Sequence, residues 1–336
     1  MKIFKKSEMK ALSLFSGGLD SILATKLIQK QGIRVEGIYL VSSFLNFNME
    51  KVKTIARNLN IYLHITDITE KLLTILKFPL YGFGKGANPC IDCHILMVKE
   101  AGLLMKKIGA SFLISGEVLG ERPMSQNRWA LNIISEKSGW GEYLLRPLTA
   151  KNLSPTLPEK KGWVKREDLL DIKGRSRNIQ LKLAKEMGLN DFPTPAGGCL
   201  LTDPIFSQRI KNLLKRGRLN SREVEFLKLG RHFYIGNNTK VIVGRNQKEN
   251  QKIFELATPG DICLQVIDFP GPLTLLRGEK ERKILQKAAS ITIRYSDAPP
   301  FEKTKVEYYE IPQGRKNYLI ATSIKDEELE KMREIK

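Results

Sequence analysis

Four cysteines are all that 336 residues provide, too few for a disulfide framework in a chain of this length. In a reducing compartment such cysteines serve more often as metal ligands, catalytic thiols or buried filler. No apolar run approaches the roughly 20 residues that span a bilayer, and Lys5 and Lys6 are not followed by an apolar stretch with a cleavage site. A membrane span and a secretory signal are therefore not expected, and a soluble cytoplasmic protein is. Acidic residues are also scarce, with Asp+Glu 36 against Lys+Arg 56 and a formal charge of +20. Between Ile205 and Lys252 twelve Lys/Arg face only Glu223, Glu225 and Glu249. Such an excess favours a polyanionic partner, because each neutralised phosphate releases condensed counterions. A lysine-rich surface without a partner is the plainer alternative.

What is present begins with Ser16-Gly17-Gly18-Leu19-Asp20-Ser21, directly after the apolar run Ala11–Phe15. A strand that empties into a Ser/Gly loop and then a helix suits an anion, since glycines let backbone N–H groups approach phosphate oxygens and the helix N-terminus adds partial positive charge. Leu19, Ile22, Leu23 and Leu27 fall on one helical face. The loop has no lysine, so it is not the GxxxxGK[ST] phosphate loop.

The length leaves room for two or three domains. Ala11–Phe15, Val35–Val41, Ile61–Ile65 and Phe112–Ser115 read as buried strands alternating with helices near Ser21–Gln31, Met49–Asn60 and Ile91–Ile108. That alternation predicts an α/β domain with a doubly wound parallel sheet and ligands at the strand C-terminal ends. Leu153–Gly162 reads as a loop, and Ser176–Met187 as a helix with Ile179, Leu183 and Met187 on one face, stopped by Gly188. Phe192-Pro193-Thr194-Pro195-Ala196-Gly197-Gly198-Cys199 reads as a shaped loop that delivers one cysteine. Further on, Lys240–Val243, Ile262–Ile267, Ser290–Tyr295 and Tyr318–Ala321 predict a smaller, β-rich α+β domain. The expected division is residues 1–215 and 216–336.

Asn88-Pro89-Cys90-Ile91-Asp92-Cys93-His94 opens a long helix. Cysteines three apart there present both sulfurs on one side, and the helix terminus is expected to lower their pKa. A lone CxxC serves redox dithiols, zinc and iron–sulfur clusters alike. His94 is available as a further ligand, but a second pair is missing. Cys199 is the natural third ligand, and three thiolates suit a [4Fe-4S] cluster with one open iron. The alternative has no metal: Cys93 or Cys199 carries a persulfide that the other resolves. The residues leave both routes open, and packed free thiols are the plain alternative. Cys263, inside the apolar Ile262–Ile267 run, is expected to be such a thiol.

The string SGGLDS resembles the signature of the PP-loop ATP pyrophosphatases, which split ATP into AMP and pyrophosphate. Ser115-Gly116-Glu117-Val118-Leu119-Gly120 with Ser125-Gln126 is similar to a second nucleotide-site motif of tRNA 4-thiouridine synthases, and Leu145-Arg146-Pro147-Leu148 to their LRPL strand. The Asn88–Cys93 string resembles the cysteine loop of tRNA 2-thiouridylases, with Cys93 at the catalytic position and Cys199 as the second cysteine. The trio also resembles thiolases that carry a three-cysteine [4Fe-4S] cluster. Over residues 9–205 the resemblance implies an adenine nucleotide alpha hydrolase-like fold. Val241-Ile242-Val243-Gly244-Arg245-Asn246, Glu249-Asn250, Ala257–Ile262 and Phe269–Pro272 resemble the NFACT RNA-binding domain, with Cys263 in place of an aromatic and the typical histidine missing. Phe233, Tyr234 and the exposed Arg and Asn residues of this segment are expected to stack on or pair with RNA.

Taken together, the resemblance implies ATP-dependent tRNA thiolation by a tRNA sulfurtransferase. A small-molecule PP-loop ligase or sulfur-inserting enzyme, and a non-catalytic RNA-binding protein, are the alternatives. Ser16, Gly17, Gly18, Asp20, Ser21, Gly116 and Glu117 are implied as ATP-binding residues, with Arg122 or Arg146 on phosphate. Asp20, with Mg2+, is implied as catalytic together with Cys93 and Cys199. Cys90, Cys93 and Cys199 are implied as cluster ligands, and Arg231, Arg245 and Asn246 as RNA contacts. Implied partners are tRNA and a sulfur donor, either a cysteine desulfurase or free sulfide; a homodimer is compatible. A THUMP domain ahead of Ala11 and a rhodanese-like carrier are not expected, and RNA capture is expected from the basic C-terminal half.

Overall fold

The structure is a computed structural model that describes residues 9–45, 48–189, 192, 198–312 and 314–334. The chain divides into two compact units, Met1–Ser207 and Gln208–Lys336.

In the first unit β1 (Lys10–Leu14), α1 (Leu19–Gln29), β2 (Arg34–Val41), α2 (Met49–Asn58), β3 (Leu63–Asp67), α3 (Thr69–Lys77), α4 (Cys90–Ile108), β4 (Phe112–Ser115), α5 (Arg128–Ser138), β5 (Leu144–Leu145), α6 (Leu157–Lys160) and α7 (Asn178–Glu186) follow in order. The strands make one sheet ordered β3-β2-β1-β4-β5, parallel throughout. Ala11, Leu12, Phe112, Leu113 and Ile114 are almost completely buried, as helices on both faces of a parallel sheet require. The order reverses between β1 and β4, so the crevice at their C-terminal ends is the topological switch point where such sheets bind ligands. β1 leads there into Ser16–Ser21 and β4 into Gly116 and Glu117.

The four expected strands are present, although β3 starts two residues later than the apolar run suggested. Leu153–Gly162 contains the short α6, its Thr156 and Glu159 forming a capping box. α3 was not foreseen. In α7 the face is rotated from expectation: Ile179 is exposed and Gln180 is buried. Pro193–Gly197 of the expected loop lie outside the described residues.

α8 (Pro204–Lys215) runs across the junction in sequence, and the second unit continues with α9 (Ser221–Leu227), β6 (Arg231–Ile235), β7 (Thr239–Val243), α10 (Gln247–Leu256), β8 (Ile262–Val266), β9 (Thr274–Arg277), α11 (Arg282–Arg294), β10 (Thr304–Glu310), β11 (Asn317–Ala321) and α12 (Asp326–Met332). Its antiparallel sheet is ordered β11-β10-β8-β9-β7-β6. Cys263 is a fully buried thiol in β8. Ser290–Tyr295 is not a strand: Ser290–Arg294 belong to α11. The alternating Ile291 and Ile293 mimic a strand, but Leu285, Ala288, Ala289 and Thr292 continue one apolar helix face onto the sheet. Thr292 satisfies its hydroxyl by donating to the Ala288 carbonyl at 2.8 Å. Among the described residues no helix is long and apolar enough to cross a membrane.

Phe112 is fully buried and stacks on Trp163 with ring centroids 6.4 Å apart. Phe112→Ala is expected to destabilise the first unit by about 3–5 kcal/mol, measured as a lower urea midpoint with an unchanged slope.

Candidate active site

The phosphate loop is shaped by its own hydroxyls. Gly17 takes φ +73°, a left-handed turn that favours glycine. The Gly18 N–H donates to Ser16 Oγ at 3.3 Å, and Ser21 Oγ donates to the Gly18 carbonyl at 2.8 Å. Gly18 is the N-cap of α1 and supplies no side-chain hydrogen bond; the Asp20 amide is engaged by its own carboxyl, and the partial positive charge of the helix start lies at the phosphate loop. A Cβ on Gly116 would lie 2.6 Å from the Asp20 carbonyl carbon and the Ser21 nitrogen. The loop after β4 therefore rests directly on the backbone of the α1 N-terminus.

Asp20 reaches from that first turn toward Arg177, with Oδ2 3.4 Å from Nη2; Arg177 Nε is 3.9 Å from Glu121 Oε1. Burial pushes the Asp20 carboxyl above its usual range, against the pull of Arg177 and Arg122. Glu121 is raised by burial and by Asp20 itself. Asp20 Oδ1 is buried without a hydrogen-bond partner. Two hard carboxylate donors, one with an orphaned oxygen, fit a Mg2+ ion.

Glu117 is not a surface ion pair. It is buried, with Oε2 accepting from Arg146 Nε at 2.8 Å and Oε1 2.7 Å from His94 Nδ1. Burial opposes its ionisation, but Arg146 and His94 prevail and hold the carboxyl at about 2. Arg146 also donates to Ser135 Oγ at 3.1 Å. Arg146 thus forms a buried pair with Glu117, and its Nη2 has no hydrogen-bond partner among the described residues. His94, expected as a spare metal ligand, instead ties the cysteine helix to the nucleotide loop.

Cys90 begins α4 and accepts from Asn88 Nδ2 at 3.1 Å. Asp92 accepts from the Leu80 and Tyr81 amides, both at 3.0 Å, and so fixes the preceding loop. Cys199 forms an antiparallel bridge with Leu45, and the Leu200 N–H donates to the Phe44 carbonyl at 2.8 Å. The three sulfurs come within electrostatic reach of one another. Burial, then Cys199, Cys90 and Asp92, push the Cys93 thiol up to about 12, and burial raises Cys199. The expected lowering by the helix terminus is thus overturned for Cys93. Among the described residues no three His, Cys, Asp or Glu are gathered to hold a single metal ion. Three sulfur donors are the kind of ligand a larger cationic core takes, and its charge would reverse the preference of Cys93 and Cys199 for the protonated form.

The positive charge of Arg122 opposes, without outweighing, the burial that raises Asp20, Glu121 and Cys199. Arg177, Glu121 and Gln180 were missed because nothing local marks them; the Arg175-Ser-Arg177 run before α7 was the only signal.

In the second unit Asn246 caps α10 by accepting from the Glu249 N–H at 3.0 Å, and Arg245 pairs with Glu249 at 2.7 Å. Arg231 lies over the Tyr295 ring at 4.6 Å. Phe233, expected to stack on RNA, is buried, and Tyr234 is covered by Arg216 at 4.0 Å.

Gly116→Ala should push the loop off Asp20 and Ser21 and weaken nucleotide binding by about 100-fold, read by calorimetry. Glu117 gives a pH signature. Its folded pKa of about 2 lies below the ordinary 4.5, so its stabilisation is complete above that value and is lost as the pH falls toward 2. Glu117→Gln should flatten this acid limb in urea titrations and, by leaving Arg146 unpaired, destabilise the unit by about 3–5 kcal/mol at neutral pH.

Comparison with known proteins places both segments. Residues 6–153 match the family model described as thiamine biosynthesis protein (ThiI), and residues 230–333 match the NFACT protein RNA binding domain. The chain is 34% identical over 116 residues to the tRNA-specific 2-thiouridylase MnmA of Campylobacter concisus (strain 13826), covering 32% of this chain and 34% of that protein. It is 33% identical over 155 residues to a probable tRNA sulfurtransferase of Lysinibacillus sphaericus (strain C3-41), covering 44% and 36%. A tRNA-specific 2-thiouridylase MnmA of Endomicrobium trichonymphae is 28% identical over 260 residues, covering 70% and 68%. The chain spans about a third of the length of the first two. One polypeptide thus joins a segment similar to the ThiI family model to a segment similar to the NFACT RNA-binding domain.

Proposed function

We propose that the protein is an ATP-dependent tRNA sulfurtransferase that replaces a uridine carbonyl oxygen by sulfur. The observation that carries this reading is the 2.7 Å contact between His94 and Glu117, which ties the helix bearing Cys90 and Cys93 to the loop that rests on the phosphate loop. An ATP site alone would serve many acceptors. An ATP site tied to a cysteine helix is suited to activating an oxygen and replacing it at one place. The matches to ThiI, to tRNA-thiolating relatives and to an RNA-binding domain support the same assignment.

The chemistry follows from the leaving group. A uracil carbonyl oxygen leaves only as oxide. Attack of that oxygen on the α-phosphorus of ATP expels pyrophosphate and makes the oxygen part of AMP; sulfur then adds to the same carbon and AMP departs with the oxygen. The Ser16–Ser21 loop and the α1 N-terminus would hold the phosphates, with Gly116 letting the two loops close. Asp20 would hold Mg2+, which neutralises the departing pyrophosphate. Glu117 acts at a distance, keeping His94 and Arg146 in place. Cys90, Cys93 and Cys199 would hold a [4Fe-4S] cluster, which when bound offers an iron with an open position for exogenous sulfur. Because burial favours the protonated thiol at Cys93, sulfur delivery by this residue requires a base or a cationic partner. A cysteine desulfurase or free sulfide would supply the sulfur. The region 216–336 would capture the tRNA in the cytoplasm.

Mass spectrometry of tRNA nucleosides from a deletion strain tests this. One thiolated uridine should disappear and return with the wild-type gene, but not with Asp20→Ala or Cys93→Ser. An unchanged set of thionucleosides would overturn the reading. Anaerobically purified protein should be brown, and Cys199→Ala should lose that colour.

A further inference from the structure

The polar groups around Asp20 are left in an unfinished state. Asp20 Oδ1, Arg177 Nε and the Gln180 amide oxygen are buried without a well-made hydrogen bond, and Gln180, on the buried face of α7, makes only a weak side-chain hydrogen bond to the Asp20 carboxyl. Buried polar groups left so poorly paired are costly, and their concentration at one point marks a place completed by something else.

Arg177 is the only described cation that approaches both carboxylates as an ion pair, and it does so poorly. Its contacts to Asp20 and Glu121 are 3.4 and 3.9 Å, against about 2.7–2.9 Å for a well-made charge-assisted bond. A guanidinium cannot serve two convergent carboxylates with the compactness of a divalent ion, whose oxygen ligands sit at about 2.1 Å. Its planar fork does match a phosphate. Two ionised carboxylates raise each other's energy unless a cation stands between them, and Arg177 is the cation placed there.

We propose that Arg177 is a placeholder cation: without nucleotide it stands between Asp20 and Glu121, and when ATP arrives with a divalent ion the ion takes the two carboxylates while Arg177 turns its fork to the ATP phosphates. The proposal rests on the reading that the Ser16–Ser21 loop binds ATP, and it adds Glu121 as the second acidic contact and Arg177 as a phosphate contact. Two consequences have opposite signs. Removing Arg177 vacates the cation position, so a divalent ion binds more tightly without nucleotide. The same change removes a phosphate partner, so ATP binds more weakly.

The test uses the full chain and three variants, Arg177→Gln, Arg177→Lys and Glu121→Gln, each checked for folding by circular dichroism. Mn2+ binding without nucleotide is followed by electron paramagnetic resonance, and binding of ATP with Mg2+ and of adenosine by calorimetry. Arg177→Gln should tighten Mn2+ by about tenfold and weaken ATP by about tenfold, with adenosine unchanged. Arg177→Lys should keep Mn2+ binding as weak as in the wild type, because the charge remains. Glu121→Gln should weaken Mn2+ binding. A purely structural Arg177 would loosen every ligand together, and that result, or Mn2+ affinity unchanged in Arg177→Gln, overturns the placeholder while wild-type ATP binding leaves the ATP reading standing. Failure of the wild type to bind ATP overturns both.

Discussion

The contact between Gly116 and the backbone of Asp20 and Ser21 is the constraint on which the site depends. β1 and β4 are neighbours at the point where strand order reverses, and their two following loops must occupy the same small volume. Only a residue without a Cβ lets the second loop lie on the first turn of α1. Once it does, the amides of that turn, the Asp20 carboxylate and the residues after β4 face one crevice, and their separations are set by the sheet rather than by flexible side chains.

Glu117 extends this constraint to the cysteines. Its two oxygens are divided between Arg146, after β5, and His94, on the cysteine helix. A buried carboxylate with both oxygens engaged is costly to disturb, and it makes α4 part of the same rigid assembly as β4 and β5. The position of Cys93 relative to the phosphate loop is therefore fixed through hydrogen bonds to an acid that needs no contact with substrate. Cys199 is delivered separately, by backbone bonding between Leu200 and Phe44 and the bridge to Leu45.

The electrostatics of the crevice follow from burial without enough cations. Asp20 and Glu121 share Arg177. Cys93, far from being activated by the start of its helix, is held as a thiol by burial and by its neighbours, and burial raises Cys199 too. Such a site has a deficit of positive charge near its acidic groups and a helix start beside them. A nucleotide accompanied by a divalent ion would answer both.

Much of this was legible in the sequence because it is local. The SGGLDS loop, the strand that feeds it, the alternation of strand and helix, and the cysteines at the head of α4 all depend on residues close together in the chain, whose spacing fixes turn, face and period. The misread segment Ser290–Tyr295 has a strand's alternation but continues a helix whose apolar face needs the sheet beneath it, so packing decided its form. Tertiary structure alone decided that Arg146 pairs with Glu117, that Arg245 and Asn246 serve the turn into α10, and that Arg177, 157 residues from Asp20, stands at the phosphate loop. Charges find partners by distance in space, and a sequence records only distance along the chain.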